Sequence, residues 1–256
     1  MTSGLATATL VRIGELTNRT YVLPLLVFFP TSRCNSRCVS CDWWKSSGAD
    51  DLSLAEIGVL AASLPPLGAR LVVFSGGEPL LRPDVFEAAR LFRAHGLLLH
   101  LLTSAVQLEK CAAEVAAEFS RVIVSLDAST ETLYHDIRGV NALGLVEKGV
   151  GRLRRIAPAI PVTARATLHR MNFRELPRLI DHAKAMAFGH PTGTLSWKHR
   201  RVLKPGTPAK QYCLAMLRKS LRVAAPIIIF YMTGAGSFKS YSLKKLKLTH
   251  IVCTGL

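Results

Sequence analysis

The feature that most constrains this chain is a regular alternation of apolar runs and helical segments over residues 22–189. Five predominantly apolar runs have the length of strands, and the first of them is continuous, as expected for a strand that is buried on both faces. They lie at residues 22–30, 70–74, 97–102, 121–126 and 161–168. Helical periodicity follows each of them, at residues 53–64, 83–95, 106–119, 143–156 and 173–187. These β-α repeats predict a parallel sheet with right-handed crossovers, and 256 residues are enough for one such domain with a real core.

The unusual polar segments of the chain all follow a predicted strand. They are residues 34–41, 75–79, 103–104 and 125–127. In parallel α/β folds, chemistry collects at the carboxyl ends of the strands. The sequence therefore predicts a functional site built from these four segments.

The Cys loop, residues 34–41, contains Cys34, Cys38 and Cys41 directly after the first apolar run. Without a signal-peptide pattern, a tight group of thiols is more often a metal or redox site than a disulfide framework. A structural zinc site is closed by four ligands, and no fourth Cys or His is near in sequence. Three thiolates on a cubane iron–sulfur cluster would leave one iron open to a substrate or cofactor. We expect an iron–sulfur site; zinc completed by Asp42 or a distant residue, and three unliganded thiols, stay open as alternatives.

The Gly-Gly-Glu loop, residues 76–79, follows the second predicted strand. Gly76 and Gly77 would let a ligand approach the backbone closely. Their amides and carbonyls, assisted by Glu78, could meet the ammonium group of an amino acid. An ordinary turn with an acidic first-turn residue is the alternative.

Four polar residues in or after the later predicted strands are candidate ligands, and each also has a simpler structural interpretation. Thr103 and Ser125 are either ligands or turn residues, and Asp127 is either a ligand or the N-cap of a segment that starts at Ser129. Arg165 lies inside the fifth apolar run, where a charge needs a partner. Either a carboxylate in the interior or an inter-strand ion pair would satisfy it.

Two further groups are interpreted as structural. Trp43 and Trp44 are expected to pack over the Cys loop. His135, Asp136 and Arg138 are predicted to lie in a polar loop without a functional role.

Together these motifs resemble the radical S-adenosylmethionine (SAM) superfamily over residues 22–189. The resemblance consists of the Cys-x3-Cys-x2-Cys loop, Gly-Gly-Glu-Pro at 76–79, Thr-Ser at 103–104 in place of Thr-Asn-Gly, and Ser-x-Asp at 125–127. Cys-Asp-x-Trp at 41–44 is similar to the branch of molybdenum-cofactor synthesis enzymes and peptide-modifying maturases. The resemblance implies a partial TIM-like (βα)6 barrel, in which the sequence leaves the last unit undefined.

The resemblance also implies the cofactors and the reaction. Cys34, Cys38 and Cys41 would hold a [4Fe–4S] cluster, and SAM would chelate the fourth iron. One electron from a flavodoxin- or ferredoxin-type donor would cleave SAM to methionine and a 5′-deoxyadenosyl radical, which abstracts hydrogen from a substrate that the sequence does not identify. The alternative is a degenerate relative that binds an iron–sulfur cluster or zinc without turnover.

Six residues would bind SAM by the same resemblance. Gly76, Gly77 and Glu78 would border the methionine amino group. Thr103 and Ser125 would lie by the carboxylate or the ribose, and Arg165 would reach the carboxylate. Ser40 replaces the aromatic residue that many members have before the third Cys, and Ala105 replaces a Gly, which is expected to alter that turn.

The charge distribution separates the end of the chain from the rest. Residues 1–189 contain 21 Lys and Arg against 17 Asp and Glu, whereas residues 190–256 contain 12 Lys and Arg and no acidic residue. We divide the chain into an N-terminal segment 1–21, the core barrel 22–189 and an atypical basic tail 190–256. The tail is either genuine or a disordered product of another reading frame, in which case the barrel lacks its last βα unit.

A basic tail is also typical of nucleic-acid binding, which we do not expect to be the main role here. The longest late apolar run, residues 224–232, is far shorter than the roughly 20 residues of a membrane helix. The sequence therefore predicts no membrane span and a cytoplasmic location.

Overall fold

The computed structural model of the chain describes residues 4–19, 21–188, 195–199 and 228–231. The strands in this part of the chain are β1 (Leu25–Thr31), β2 (Leu71–Gly76), β3 (Leu98–Thr103), β4 (Arg121–Ser125), β5 (Val162–Leu168), β6 (Leu195–His199) and β7 (Ile228–Tyr231). The helices are α1 (Gly4–Thr17), α2 (Leu54–Ser63), α3 (Val85–Ala94), α4 (Ala112–Glu118), α5 (Glu131–Arg138), α6 (Leu143–Ile156) and α7 (Leu176–Ala183).

The strands form one sheet in which their order is that of the chain, from β1 to β7. Strands β1 and β2 pair in parallel with Leu25 beside Leu71, and β2 and β3 pair in parallel with Leu71 beside Leu98. The pairs β5–β6 and β6–β7 are parallel as well. Because β1 and β7 are its edges, the sheet is open. The predicted parallel α/β fold is confirmed, without closure into a complete barrel.

The described residues divide into two compact units. The first contains the described residues up to Asn35, together with Trp43–Thr103 and Ala113–Val122. Its core includes Phe28, Phe74 and Phe92, whose ring centroids lie 5.1–5.6 Å apart. Aromatic pairs at this spacing and inclination add to the stabilisation from burial alone.

The second unit contains Ser36–Asp42, Ser104–Ala112 and the described residues from Ile123 onward. Strand β5 and the inner face of α6 supply much of its core, which includes Ala164, Ala166, Val146, Val150 and Leu153. Helix α6 lies close to the turn that follows Ala105, because a Cβ atom at Gly149 would be only 2.9 Å from Leu108 Cβ.

Helix α4 is shorter than the predicted helix over residues 106–119, since it begins only at Ala112. Residues 106–111 form tight turns instead. The amides of Leu108 and Lys110 bond to the carbonyls of Ala105 and Gln107, three residues back rather than four. The prediction failed here because helical periodicity does not distinguish consecutive turns from a helix.

Two of the helices, α1 and α5, were not predicted from the sequence. Helix α1 lies in the segment 1–21 that showed only a weak pattern. Helix α5 occupies the region of His135, Asp136 and Arg138, so the predicted polar loop is wrong. Thr130 caps this helix by accepting a hydrogen bond from Leu133 N at 3.4 Å, and Gly139 ends it with a left-handed φ of 65°.

Two short strands, β6 and β7, fall within the tail 190–256, where the sequence showed no clear periodicity. Strand β6 is the strand of the sixth βα repeat, which the sequence left undefined. The rest of the tail lies outside the described residues, so the domain division and both interpretations of the tail stay predictions. Among the described residues, no helix is both long and apolar enough to cross a membrane.

Candidate functional site

The start of the Cys loop is fixed at the end of β1. Thr31 is fully buried, and its hydroxyl accepts a hydrogen bond from Arg33 N at 3.1 Å. The amide of Ser32 donates to Asp51 Oδ1 at 2.9 Å. The backbone that leads to Cys34 is therefore held by polar contacts on consecutive residues.

The Gly-Gly-Glu loop is bonded to this same stretch of backbone. Gly77 N donates to Thr31 O at 3.1 Å, and Glu78 N donates to Arg33 O at 2.8 Å. A Cβ atom at Gly77 would lie 2.1 Å from Arg33 O, which no side chain can tolerate. Gly76 has a φ of 96°, in the region that favours glycine. Both glycines are therefore needed for the fold, Gly77 by its contact with the start of the Cys loop and Gly76 by its positive φ, and their expected approach to a ligand stays a prediction.

Glu78 and Thr103 are two predicted SAM-binding residues that the fold places in contact. Thr103 Oγ1 donates to Glu78 Oε1 at 2.7 Å, and Leu80 N donates to the same oxygen at 3.1 Å. Glu78 is only 1% exposed. A carboxylate buried to this degree and oriented by donors is suited to a cationic partner such as an ammonium group.

Arg82 anchors the far side of the Gly-Gly-Glu loop to β1. Its Nη1 donates to Pro30 O at 2.7 Å, while its Nε and Nη2 form a two-point contact with the carboxylate of Asp84 at 2.6 and 3.0 Å. This contact with Arg82 lowers the pKa of Asp84. The first unit therefore holds the ends of β1 and β2 in one bonded assembly.

The two tryptophans that follow the Cys loop have different surroundings. Trp43 packs edge-on against Phe29 of β1, with ring centroids 5.3 Å apart. Trp44 is exposed and lies beneath the Lys45 ammonium, 5.3 Å from the ring centroid. The expected packing of both side chains over the Cys loop stays a prediction.

In the second unit, the end of α5 holds the Cys loop around Cys38. Arg37 N donates to Arg138 O at 2.8 Å, and Val39 N donates to Ile137 O at 2.9 Å. Within the loop, Cys41 N donates to Cys38 O at 3.2 Å. The residues on either side of Cys38 are therefore fastened to one helix end.

Asp127 joins the end of β4 to α5 and β5. Arg138 Nη1 donates to Asp127 Oδ2 at 2.8 Å, and Thr167 N donates to Asp127 Oδ1 at 2.6 Å. Asn172 Nδ2 donates to the backbone carbonyl of Asp127 at 2.9 Å. The N-cap interpretation of Asp127 is wrong, because Thr130 caps the following helix and the Asp127 carboxylate bonds elsewhere.

Two arginines surround Asp127. Burial lowers the pKa of Arg138, but the negative charges of Asp127 and of ionised Tyr134 and Cys38 outweigh it, so the net shift is upward. Burial also lowers the pKa of half-buried Arg165; Asp127 opposes this shift and the positive charge of Arg138 adds to it. The carboxylate that acts on Arg165 is therefore Asp127. The predicted SAM-binding residue Ser125 is half-buried and lies at the end of β4, two residues before Asp127.

Sequence reasoning missed Arg138 and His169. Arg138 lies four residues after Tyr134, one helical turn further along α5. This spacing, before the helix-ending Gly139, could have indicated a buried position. His169 follows β5 and is 5% exposed, and burial lowers its pKa. Its Nδ1 accepts from Met171 N at 3.3 Å, and its buried Nε2 has no hydrogen-bond partner. No sequence signal identified His169.

Ala105, which replaces a glycine of the family motif, has an unusual backbone conformation. Its φ is 63°, the left-handed conformation that glycine adopts most readily, and its side chain is buried. An alanine holds this conformation with some strain, and the expected alteration of the turn relative to the family stays a prediction.

The three cysteines of the Cys loop are half-buried and form no disulfide. In the described part of the chain, no three His, Cys, Asp or Glu side chains are placed to hold a single metal ion. A cubane cluster requires a different arrangement of the cysteines, because each thiolate binds a different iron atom.

A parallel α/β sheet with a Cys-x3-Cys-x2-Cys loop after its first strand and a Gly-Gly-Glu loop after its second defines a class of iron–sulfur enzymes. The model of the radical SAM superfamily matches residues 28–183, and this chain belongs to that superfamily. Its members use a [4Fe–4S] cluster and SAM.

Curated relatives include a PqqA peptide cyclase of Rhodopseudomonas palustris, which is 33% identical over 172 residues, or 65% of this chain and 45% of the relative. A GTP 3′,8-cyclase of Bradyrhizobium diazoefficiens is 32% identical over 168 residues, or 62% of this chain and 48% of the relative. These matches agree with the peptide-maturase and molybdenum-cofactor branch. This chain spans about half the length of these relatives.

Among solved structures, Streptococcus suis SuiB bound to S-adenosylmethionine is similar with a TM-score of 0.69 and 13% identity. The similarity covers 88% of this chain and 54% of SuiB. At this identity the similarity supports the fold, that of partial TIM barrels.

The residues around Cys38 fit an anionic iron–sulfur cluster. Ser36 Oγ and Arg138 Nε are buried, and neither has a hydrogen-bond partner. Unmatched buried donors are costly unless a ligand meets them, and the sulfurs of a cluster are acceptors.

Proposed function

We propose that this chain uses a [4Fe–4S] cluster, held by Cys34, Cys38 and Cys41, to initiate radical chemistry on an unidentified substrate. The observation that carries the proposal is the bonding of the Gly-Gly-Glu loop to the backbone immediately before the Cys loop. Gly77 N and Glu78 N donate to Thr31 O and Arg33 O, immediately before Cys34. These bonds hold the start of the Cys loop against Gly77 and Glu78.

The proposed SAM site follows from the charges at the strand ends. Glu78, oriented by Thr103, is suited to the amino group of the methionine moiety, with Gly76 and Gly77 beside it. Arg165 supplies a positive charge for the carboxylate. Ser125, at the end of β4, is proposed as a hydroxyl partner for the ribose or the carboxylate.

When bound and reduced, the cluster supplies the electron that cleaves SAM to methionine and a 5′-deoxyadenosyl radical. The protein contributes binding, orientation and exclusion of water. A flavodoxin- or ferredoxin-type protein is the proposed electron donor, and a reducing, cytoplasmic location is proposed because the thiols must stay unoxidised.

The substrate is left unassigned. The relatives are named for a peptide and for GTP, and this chain spans about half of each. Membership of a superfamily of enzymes favours turnover over the alternative of a cluster-binding or zinc-binding protein without activity.

Anaerobic reconstitution with iron and sulfide, followed by dithionite and SAM, tests the proposal. We expect the wild-type chain to form 5′-deoxyadenosine and methionine. Cys38→Ala is expected to form neither, while Cys111→Ala, which changes a half-buried cysteine outside the Cys loop, is expected to behave like the wild type.

Three other outcomes would favour an alternative or overturn the proposal. A cluster that forms without SAM cleavage would support the inactive relative, and bound zinc in place of iron would overturn the proposal. Product formation by Cys38→Ala would show that the cleavage does not depend on the proposed loop.

A further inference from the structure

We infer that Arg138 is a positioning residue that fixes the Cys38 segment and raises the reduction potential of the cluster. The inference rests on the proposed function, since it requires a cluster on the Cys loop. It assigns a role to a residue at the end of α5, a helix outside both defining motifs.

The first step is the backbone contact between α5 and the Cys loop. The carbonyls of Ile137 and Arg138 accept hydrogen bonds from Val39 N and Arg37 N, the amides on either side of Cys38. A Cβ atom at Gly139 would lie 2.7 Å from Arg37 O, so the helix end and the loop are in close contact. Movement of this helix end would therefore move Cys38.

The second step is the immobilisation of the Arg138 side chain. It is 9% exposed, and its Nη1 donates to Asp127 Oδ2 at 2.8 Å. Asp127 is itself held by Thr167 N at 2.6 Å, and the Arg138 guanidinium lies 5.8 Å from the centroid of the Tyr134 ring. The positive charge thus occupies a fixed position.

The third step is the unused hydrogen-bonding capacity beside Cys38. Arg138 Nε is buried without a partner, and so is Ser36 Oγ, two residues before Cys38. The negative charge of an ionised Cys38 acts on the Arg138 guanidinium, so the two groups lie within electrostatic range. Hydrogen bonds and charges near cluster sulfurs are the principal means by which a protein sets a cluster potential.

The sign of the effect follows from electrostatics. Reduction adds a negative charge to the cluster, and a buried positive charge stabilises that state because screening by solvent is weak. Arg138 should therefore raise the potential, and the carboxylate of Asp127 should lower it. Removing either residue breaks the same ion pair, yet the two removals should shift the potential in opposite directions.

The experiment is an EPR-monitored redox titration of the reconstituted full-length chain, with iron and sulfide analysis. We expect a more negative potential in Arg138→Met, a more positive one in Asp127→Asn, and a potential closer to that of the wild type in Arg138→Lys. Arg178→Gln also removes a positive charge, but from a side chain that is 76% exposed, and is expected to leave the potential unchanged.

A structural defect alone would not give opposite shifts. Equal potentials in all variants, or shifts of the same sign in Arg138→Met and Asp127→Asn, would overturn the inference while leaving the proposed function intact. If Arg138→Met takes up no iron, Asp127→Asn decides the matter, because only a positive shift agrees with the inference. Absence of a cluster from the wild type would overturn the proposed function and this inference together.

Discussion

Asp127 joins three segments of the second unit through its carboxylate and its backbone carbonyl. It accepts from Arg138 Nη1, Thr167 N and Asn172 Nδ2, and both side chains of its ion pair with Arg138 are largely buried. Removing one partner from a buried pair leaves an uncompensated charge, which typically costs about 3–5 kcal/mol. Asp127 and Arg138 are therefore expected to stabilise the fold as well as to determine the charge near Cys38.

Ala105 gives a prediction about backbone strain. An alanine with φ of 63° bears a cost of about 1 kcal/mol relative to glycine. In Ala105→Gly, relief of that strain should offset the loss of a buried methyl group, leaving the free energy of unfolding within about 0.5 kcal/mol of the wild type.

The matched control is Ala88→Gly, which removes an equally buried methyl group from the middle of α3. It should lower the free energy of unfolding by at least about 1 kcal/mol, since glycine is disfavoured within helices. Denaturant unfolding followed by circular dichroism measures both variants. Equal losses would contradict the strain assigned to Ala105.

His169 gives a prediction about pH. Burial lowers its pKa in the folded chain below the ordinary value of 6.5, with a partial opposing effect from Asp127. The neutral side chain therefore stabilises the fold above about pH 6.5, and this contribution is lost as the pH falls from there toward the lowered pKa. The expected observation is a decrease in the free energy of unfolding between about pH 7.5 and pH 5.5.

His169→Gln isolates this contribution because glutamine does not titrate. Its free energy of unfolding should depend less steeply on pH over the same interval, as measured by urea unfolding at several pH values. The same slope in the variant and the wild type would show that His169 is not the responsible group.

At the residue scale, the sequence predicted which residues belong to the site better than it predicted the contacts between them. Glu78 and Thr103 were both predicted at the site, but their mutual hydrogen bond follows from the register of neighbouring strands, which the sequence does not specify. Arg138 was missed because its burial depends on a helix, α5, which the sequence analysis interpreted as a polar loop. His169 was missed because a single histidine after a strand has no distinguishing pattern.

At the scale of elements, the decisive feature is the junction between the end of β1 and the Gly-Gly-Glu loop after β2. Two backbone hydrogen bonds cross it, and Arg82 adds a side-chain contact to Pro30 O. Parallel pairing of β1 and β2 brings their carboxyl ends together, so the fold itself produces the junction.

Gly77→Ala tests this junction. A methyl group would lie 2.1 Å from Arg33 O, and relieving that overlap requires the start of the Cys loop to move. We expect a loss of about 1–3 kcal/mol in the free energy of unfolding, together with reduced iron uptake on reconstitution.

Gly58→Ala is the matched control, because a Cβ atom at this helical position meets nothing within 4 Å. It should leave iron uptake unchanged and raise the free energy of unfolding by up to about 1 kcal/mol. Unchanged stability and iron uptake in Gly77→Ala would contradict the proposed close junction.

The strands and most helices of the core followed from sequence because the strands are predominantly apolar runs and those helices place apolar residues at helical spacing. All five predicted strands within residues 22–189 are present with small differences at their ends. Helix α1 lacked a strong amphipathic pattern, and residues 106–111 form turns with apolar spacing similar to that of a helix. Strands β6 and β7 lie in a basic segment whose sequence shows no alternation.

At the scale of the whole molecule, the described strands make an open parallel sheet whose early strands end at the motifs of the radical SAM superfamily. This chain spans about half the length of its curated relatives, and the tail after residue 189 contains 12 basic and no acidic residues. The substrate is therefore left unassigned, whereas the residues that we propose for binding the cluster and SAM all lie within residues 22–189.

The most direct test of the account is the EPR spectrum of the reconstituted, dithionite-reduced chain, recorded with and without SAM. The account predicts about four irons per chain and a spectrum that changes when SAM is added, because three thiolates leave one iron open to it. Replacing Cys34, Cys38 and Cys41 together by alanine should abolish the signal. A reduced cluster whose spectrum is indifferent to SAM, or a wild-type chain that takes up no iron, would contradict the account.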